Sequence, residues 1–190
     1  MPPAVRWTRD PVIETEQTVR VACDIGRTWD YARDFAQWAS IMPGYQSCEI
    51  EDADNSRWVL KVGVGAMVRT VKVRVHVEQW AGPERVDFSF RLEGDPVEGS
   101  GSYLAAPAEA GTDMTLKVRV VGSGPMAPMW EALGAPVLPK FARAFAEQLR
   151  DRIEAANPPA AIPVSALRRG ILTRIMAWVR GLWPRTGDAR

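Results

Sequence analysis

The side chains that carry catalytic chemistry are sparse in this chain and poorly grouped. His76 is its one histidine. It alternates with Val75 and Val77 and shares the face of Lys72 and Arg74, so it reads as a solvated imidazole on the outside of a strand, not as a general base. No Ser/His/Asp set can be assembled, and Cys23 and Cys48 have no histidine spaced to activate them, so both read as small buried or half-buried thiols. The absence of CxxC, HxxxH and HxxE spacings removes the usual metal sets. Gly63-Val64-Gly65 and Gly99-Ser100-Gly101 read as strand-edge or turn glycines, because no helix follows either to cradle a phosphate. Glu78, Asp87, Glu93 and Glu98 are the carboxylates available to act on a bound polyketide, and strand parity sends most of them to solvent. The sequence therefore names no catalytic residue, no metal ligand and no covalent cofactor.

Other chemistry is concentrated at the C-terminal end. Behind the Pro/Ala-rich stretch 155–164, the segment 165–190 carries six arginines against one aspartate, whereas residues 1–164 carry 18 basic against 22 acidic side chains. At about 100° per residue, Leu167, Ile171, Leu172, Ile175, Met176, Trp178, Val179, Leu182 and Trp183 share one half of a helical wheel. Arg169, Arg174 and Arg180 take the other half with Gly170, Thr173, Ala177 and Gly181. Arg168 enters the apolar arc at the helix start, where its long side chain can snorkel to water. This pattern predicts a basic amphipathic helix lying on an anionic membrane surface, with tryptophans at headgroup level. Arginine and glycine interrupt it too often for it to span a bilayer, which takes about 20 apolar residues. The same apolar face also suits docking on the body, a partner helix or another protomer. Nucleic acid is disfavoured, because phosphate would engage the arginines and leave the aliphatic and tryptophan face in water.

These side chains must be positioned by the body. The expected organisation is an N-terminal extension at 1–11, one domain at 12–154, a linker at 155–164 and the tail at 165–190. The first residues lack the charged and apolar regions of a secretory signal, so the expected location is cytoplasmic, with peripheral attachment to the inner face of the cell membrane.

Within the domain, Val12 to Val21 alternates as a strand, and Asp24 offers a cap for a short helix over Ile25 to Asp34, where Ile25, Trp29 and Ala32 or Arg33 have helical spacing. A second short helix, Phe35 to Ile41, stops at Met42-Pro43-Gly44. Six alternating runs follow: Tyr45 to Ala53, Arg57 to Val64, Met67 to Trp80, Val86 to Leu92, one ending near Ala105, and Met114 to Val121. Six consecutive strands with no helix between them predict an antiparallel meander. The stretch from Pro125 to Ala156 has apolar residues at spacings of three and four and predicts one long helix, bent at Gly134-Ala135-Pro136. Its apolar stripe needs a large partner, and the inner face of the sheet is the one available.

The fold class is thus α+β, a curved antiparallel sheet of about seven strands wrapped on a long C-terminal helix, with an amphipathic helix appended. This order resembles the START/Bet v 1-like helix-grip superfamily over residues 12–154. Val21-Ala22-Cys23-Asp24 leading to Trp29, Ile41-Met42-Pro43-Gly44 with Cys48 following, Val62-Gly63-Val64-Gly65 and Val120-Val121-Gly122-Ser123-Gly124 resemble the CoxG family of carbon monoxide dehydrogenase systems within it. The resemblance implies an apolar cavity between sheet and helix. Trp58, Leu60, Val62, Val73, Val75, Phe88, Phe90, Tyr103, Leu116, Val118, Met129, Trp130, Leu133, Val137 and Phe141 are expected to line it, although any one of them equally suits a filled core. It further implies a non-enzymatic protein that binds a lipid or quinone and recruits or serves a molybdenum-containing, carbon monoxide dehydrogenase-like oxidase. The alternatives are a polyketide cyclase or aromatase of the same fold, and an interaction protein whose tail binds a partner protein.

Overall fold

Strict alternation over ten residues makes the first described element, β1 (Val12–Val21), whose alternate side chains turn inward toward a fully buried Val21. The computed structural model describes residues 12–64, 67–125 and 127–158. The tail at 165–190 and the extension at 1–11 lie outside the described residues, as does the linker beyond 158.

Two short helices follow, each started by an aspartate. Asp24 caps α1 (Ile25–Ala32), its carboxylate accepting the Arg27 N–H at 3.1 Å. Asp34 caps α2 (Phe35–Ile41) by accepting the Ala36 N–H at 3.0 Å. Pro43-Gly44 then turns the chain into the sheet. Gly44 has φ +80° and its carbonyl accepts the Lys61 N–H at 2.7 Å, an approach so close that a side chain would strike the Lys61 carbonyl.

The meander comprises β2 (Tyr45–Ile50), β3 (Asn55–Val64), β4 (Met67–Ala81), β5 (Arg85–Leu92), β6 (Val97–Ala108) and β7 (Gly111–Gly122). β1 returns to pair with β7, giving one antiparallel sheet in the order β1-β7-β6-β5-β4-β3-β2. β2 ends at Ile50, short of the expected Ala53, because Asp52 folds the next turn by accepting the backbone N–H groups of Asp54 and Asn55 at 2.9 and 2.8 Å.

The predicted single bent helix is two helices, α3 (Ala127–Gly134) and α4 (Leu138–Ala156). Pro136 has no N–H to continue the ladder, and α4 restarts with Phe141 donating to the Val137 carbonyl at 3.0 Å. α4 runs through Ala156, two residues into the expected linker, and Asn157 closes it.

One face of α4 buries Ala142, Phe145, Ala146, Leu149 and Ile153, chiefly against β1. At this end the core is filled by aromatics. Trp38 of α2 stacks on Phe35 at 4.7 Å between ring centres and lies within 6 Å of Phe88, Tyr103 and Phe145. Its indole N–H donates to the Ala32 carbonyl at 2.8 Å, so the ring is buried without an orphaned donor. Burial of each such large side chain contributes roughly 1.5–3 kcal/mol.

Candidate functional site

The filled core does not extend under the whole sheet. Along β4, Val71, Val73, Val75 and Val77 are buried, but inward-facing Phe88, Phe90 and Leu92 on β5 and Val118 and Val120 on β7 are only half-buried. They border a cavity of about 290 Å³ between the sheet, α3 and the first half of α4. The lining crosses the break between the two helices through Trp130, Glu131, Gly134, Val137 and Leu138, and the Trp130 Cβ stem packs near Gly122 at the end of β7.

Of the residues expected to line a cavity, Trp58, Leu60, Val62, Val73, Val75, Phe88, Phe90, Leu116, Val118, Trp130, Val137 and Phe141 border this one. Two expectations are corrected. Met129 is 41% exposed on α3, and its neighbour Trp130, about 100° further round the helix, is the one that borders the cavity. Tyr103 is buried but stands away from the cavity, opposite Val86 and Leu116 and against Trp38, in the filled end. Its hydroxyl has no hydrogen-bond partner among the described residues, and burial drives its pKa well above the ordinary tyrosine value. The side chain of Leu133 lies outside the described residues.

The wall also contains residues left out of the expected lining: Ile13, Trp38, Met42, Val71, Leu92, Val97, Val120, Leu138 and Ala142. Ile13 reaches the site through the β1–β7 pairing, which no local pattern announces. Trp38 comes from a helix of seven residues, too short for a reliable face. Phe145, from the sequence pattern of α4, also borders the cavity. Among the described residues, Glu131 is the one ionisable residue on the wall, and the rest offers apolar and aromatic surface. The site is built to exclude water and to take an uncharged guest.

The polar chemistry lies on the opposite face of the sheet. His76 is half-exposed there, with Nδ1 2.9 Å from Asn55 Oδ1. Arg74 bonds Glu93 at 2.7 Å and, by that bond first, holds its carboxyl below the ordinary range. Ser89 donates to Glu78 at 2.6 Å. For Asp87, burial opposes ionisation, but bonds from Arg85 and Ser102 outweigh it and the pKa falls. A groove of about 610 Å³ on this face includes His76, Arg74 and Glu98. It is roomier than the inner cavity, but Glu51, Arg74 and Arg119 on its wall are held in ion pairs with neighbours outside it and it is open to water, so the inner cavity is the better ligand site.

Burial raises the pKa of both Cys23 and Cys48, leaving two free thiols of low reactivity. Among the described residues, no three metal-binding side chains cluster, and no helix is long and apolar enough to cross a membrane.

Comparison with known proteins agrees with this geometry. The model of the family described as polyketide cyclase / dehydrase and lipid transport matches residues 12–154. A conserved protein from Geobacillus kaustophilus shares the fold with a TM-score of 0.65 at 16% identity, over 76% of this chain and 97% of that one. The Zhui aromatase/cyclase from Streptomyces sp. R1128 has a TM-score of 0.58 at 19% identity, over 80% of this chain and 99% of its own. The di-domain aromatase/cyclase StfQ of the steffimycin biosynthetic pathway has a TM-score of 0.57 at 11% identity, over 76% of this chain and 51% of its own. At these identities the likeness to the solved structures concerns the fold alone. No curated protein sequence matches the chain.

Proposed function

Because the chain belongs to the polyketide cyclase, dehydrase and lipid-transport family, we propose that it binds an uncharged hydrophobic molecule in the inner cavity and carries or presents it without transforming it. One observation carries this reading: among the described residues, twenty-five border the cavity, and Glu131 alone of these is ionisable. General acid–base chemistry needs groups that reach the reacting atoms, whereas carriage needs only a dry, shaped space. The volume sits at the small end of ligand sites, roughly 300–1,000 Å³. It suits a quinone ring or a short length of acyl chain.

The basic amphipathic segment 165–190 extends the proposal. Its nine apolar residues and its arginines suit peripheral attachment to an anionic membrane, the reservoir of such a ligand. Attachment through a Pro/Ala linker would raise the local concentration of cavity at the bilayer. The client enzyme in this proposal is a molybdenum oxidase of the carbon monoxide dehydrogenase type, supported by the sequence resemblance alone.

The second reading is a cyclase or aromatase that folds a polyketide chain inside the cavity, favoured by two aromatase/cyclases among the proteins of this fold. It would place its proton chemistry on Glu131. Native purification followed by solvent extraction and mass spectrometry separates the readings. A co-purifying quinone or lipid supports carriage; conversion of an added poly-β-keto chain that is lost in Glu131→Gln supports the enzyme. Liposome flotation of the chain with and without residues 165–190 tests the membrane segment, and flotation that survives the deletion would contradict its assignment.

A further inference from the structure

Two glycines stand inside a strand of the sheet, beside phenylalanines that border the cavity. Gly99 and Gly101 lie in β6, paired on one side with β5 and on the other with β7. They are interior positions of a doubly paired strand, not the edge or turn glycines expected from sequence. Interior glycines cost strand stability and commonly mark a place where another group must come close.

Here the group is aromatic on both occasions. Phe90 is the direct cross-strand partner of Gly99, and Phe88 that of Gly101. Each ring lies back over its glycine: a methyl group on Gly99 would stand 2.4 Å from the Phe90 ring, and one on Gly101 2.4 Å from the Phe88 ring. Contacts that short do not occur, so any side chain at either position must push the ring off β6. Phe88 and Phe90 both border the cavity, and the space toward which they would be displaced is the cavity itself.

The geometry points to Gly99 and Gly101 as the residues that set the size of guest the cavity admits, by letting two phenylalanine rings lie flat against the sheet. This rests on the reading of the cavity as a ligand site. Gly101 is the better handle. A Cβ there would sit 2.8 Å from the Lys117 carbonyl, against 2.4 Å between a Cβ at Gly99 and the Arg119 carbonyl, so the backbone has less to yield.

The test titrates the full chain with two uncharged probes, the smaller 2-naphthol and the larger N-phenyl-1-naphthylamine, in the wild type, Gly101→Ala, Phe88→Ala and the double variant. Gly101→Ala is expected to weaken the larger probe by about tenfold or more and the smaller by much less, in line with the effect of a methylene in an apolar pocket. Phe88→Ala in the same chain is expected to restore the larger probe. Phe88→Ala alone should shift preference toward the larger probe, which keeps the test decisive if Gly101→Ala fails to fold. An unchanged preference in Phe88→Ala, or a double variant no better than Gly101→Ala, would overturn the inference while leaving the ligand site intact. Binding of neither probe by the wild type would remove the site itself, and the inference with it.

Discussion

The guanidinium of Arg69 lies 5.9 Å from the ring centre of Trp130, while Asp95 holds the same guanidinium at 2.7 Å. Arg69 belongs to β4, Asp95 to the turn before β6 and Trp130 to α3, so this contact ties the helix beside the cavity to the far part of the sheet. α3 has few other ties: it packs lightly on β1 and β7, between Gly124 at φ +73° and the break at Gly134 to Val137. Trp130 is therefore the side chain through which α3 closes the site.

Trp130→Ala should accelerate ligand dissociation about tenfold, the lower end of the effect of altering an apolar pocket, with little change in unfolding midpoint because the ring is only half-buried. Arg69→Ala should act in the same direction more weakly, since a cation over a ring that is not desolvated contributes about 0.5–1 kcal/mol. Stopped-flow displacement of a bound fluorescent probe measures both. Equal rates in all three proteins would show that α3 does not guard the cavity.

Trp38→Ala should cost about 3–5 kcal/mol, as expected for a large ring removed from a tight core. The ring is 1% exposed and held among four other aromatics. Trp38→Phe preserves most of the packing but leaves the Ala32 carbonyl without its donor, at about 1–3 kcal/mol. Urea unfolding with unchanged slope and a lower midpoint, further lowered in the alanine variant, is the expected pattern.

Acid should weaken the outer face. Asp113 is held low first by its bond from Arg20, Glu93 by that from Arg74, and Asp87 by Arg85 and Ser102 against an opposing burial effect. A carboxyl whose folded pKa lies below its unfolded value adds stability above the unfolded value. That stability is lost as pH falls through the folded pKa, so these groups weaken the fold below about pH 4 and contribute a flat profile between about pH 6 and 8. Asp113 and Glu93 are near the surface, where screening keeps each effect small. Urea midpoints should fall less steeply below about pH 4 in Asp113→Asn than in the wild type; parallel profiles would contradict the assignment.

Both cysteines should resist alkylation at about pH 7, because burial raises their pKa and thiolate is the reactive form. Iodoacetamide should label the native chain slowly, faster above about pH 9, and rapidly once urea exposes the thiols. Fast labelling at neutral pH would show that one of them is activated.

The strands were legible because each meets an apolar interior on one side and water on the other, which imposes period two on β4, β5 and β7. Of the two helix caps, Asp24 was legible, since a short polar side chain before an amphipathic run has a local purpose, whereas Asp34 sits between two helices too short to frame it. The limits of the void were not legible. Tyr103 and Leu116 face each other across β6 and β7 with the same parity, yet Leu116 borders the cavity and Tyr103 lies in the filled end. Tyr103 is packed by Trp38, brought there by α2 and invisible to strand periodicity. Met129 and Trp130 are adjacent on α3, and only Trp130 borders the cavity, a choice that apolar spacing alone does not make. Gly99 and Gly101 carry no side chain to mark a face, so their part in shaping the cavity appears only through their partners Phe88 and Phe90.

The claim that the inner cavity is the ligand site is tested most directly by filling it. Val118 borders the cavity from β7 and is half-buried because the space before it is empty of side chains, so Val118→Trp should occupy the void. Titrated with N-phenyl-1-naphthylamine, the wild-type chain should bind in a saturable one-to-one manner, and Val118→Trp should lose at least about tenfold in affinity while unfolding as a single cooperative transition. Undiminished binding by a cooperatively folded Val118→Trp protein would place the ligand elsewhere and contradict the account.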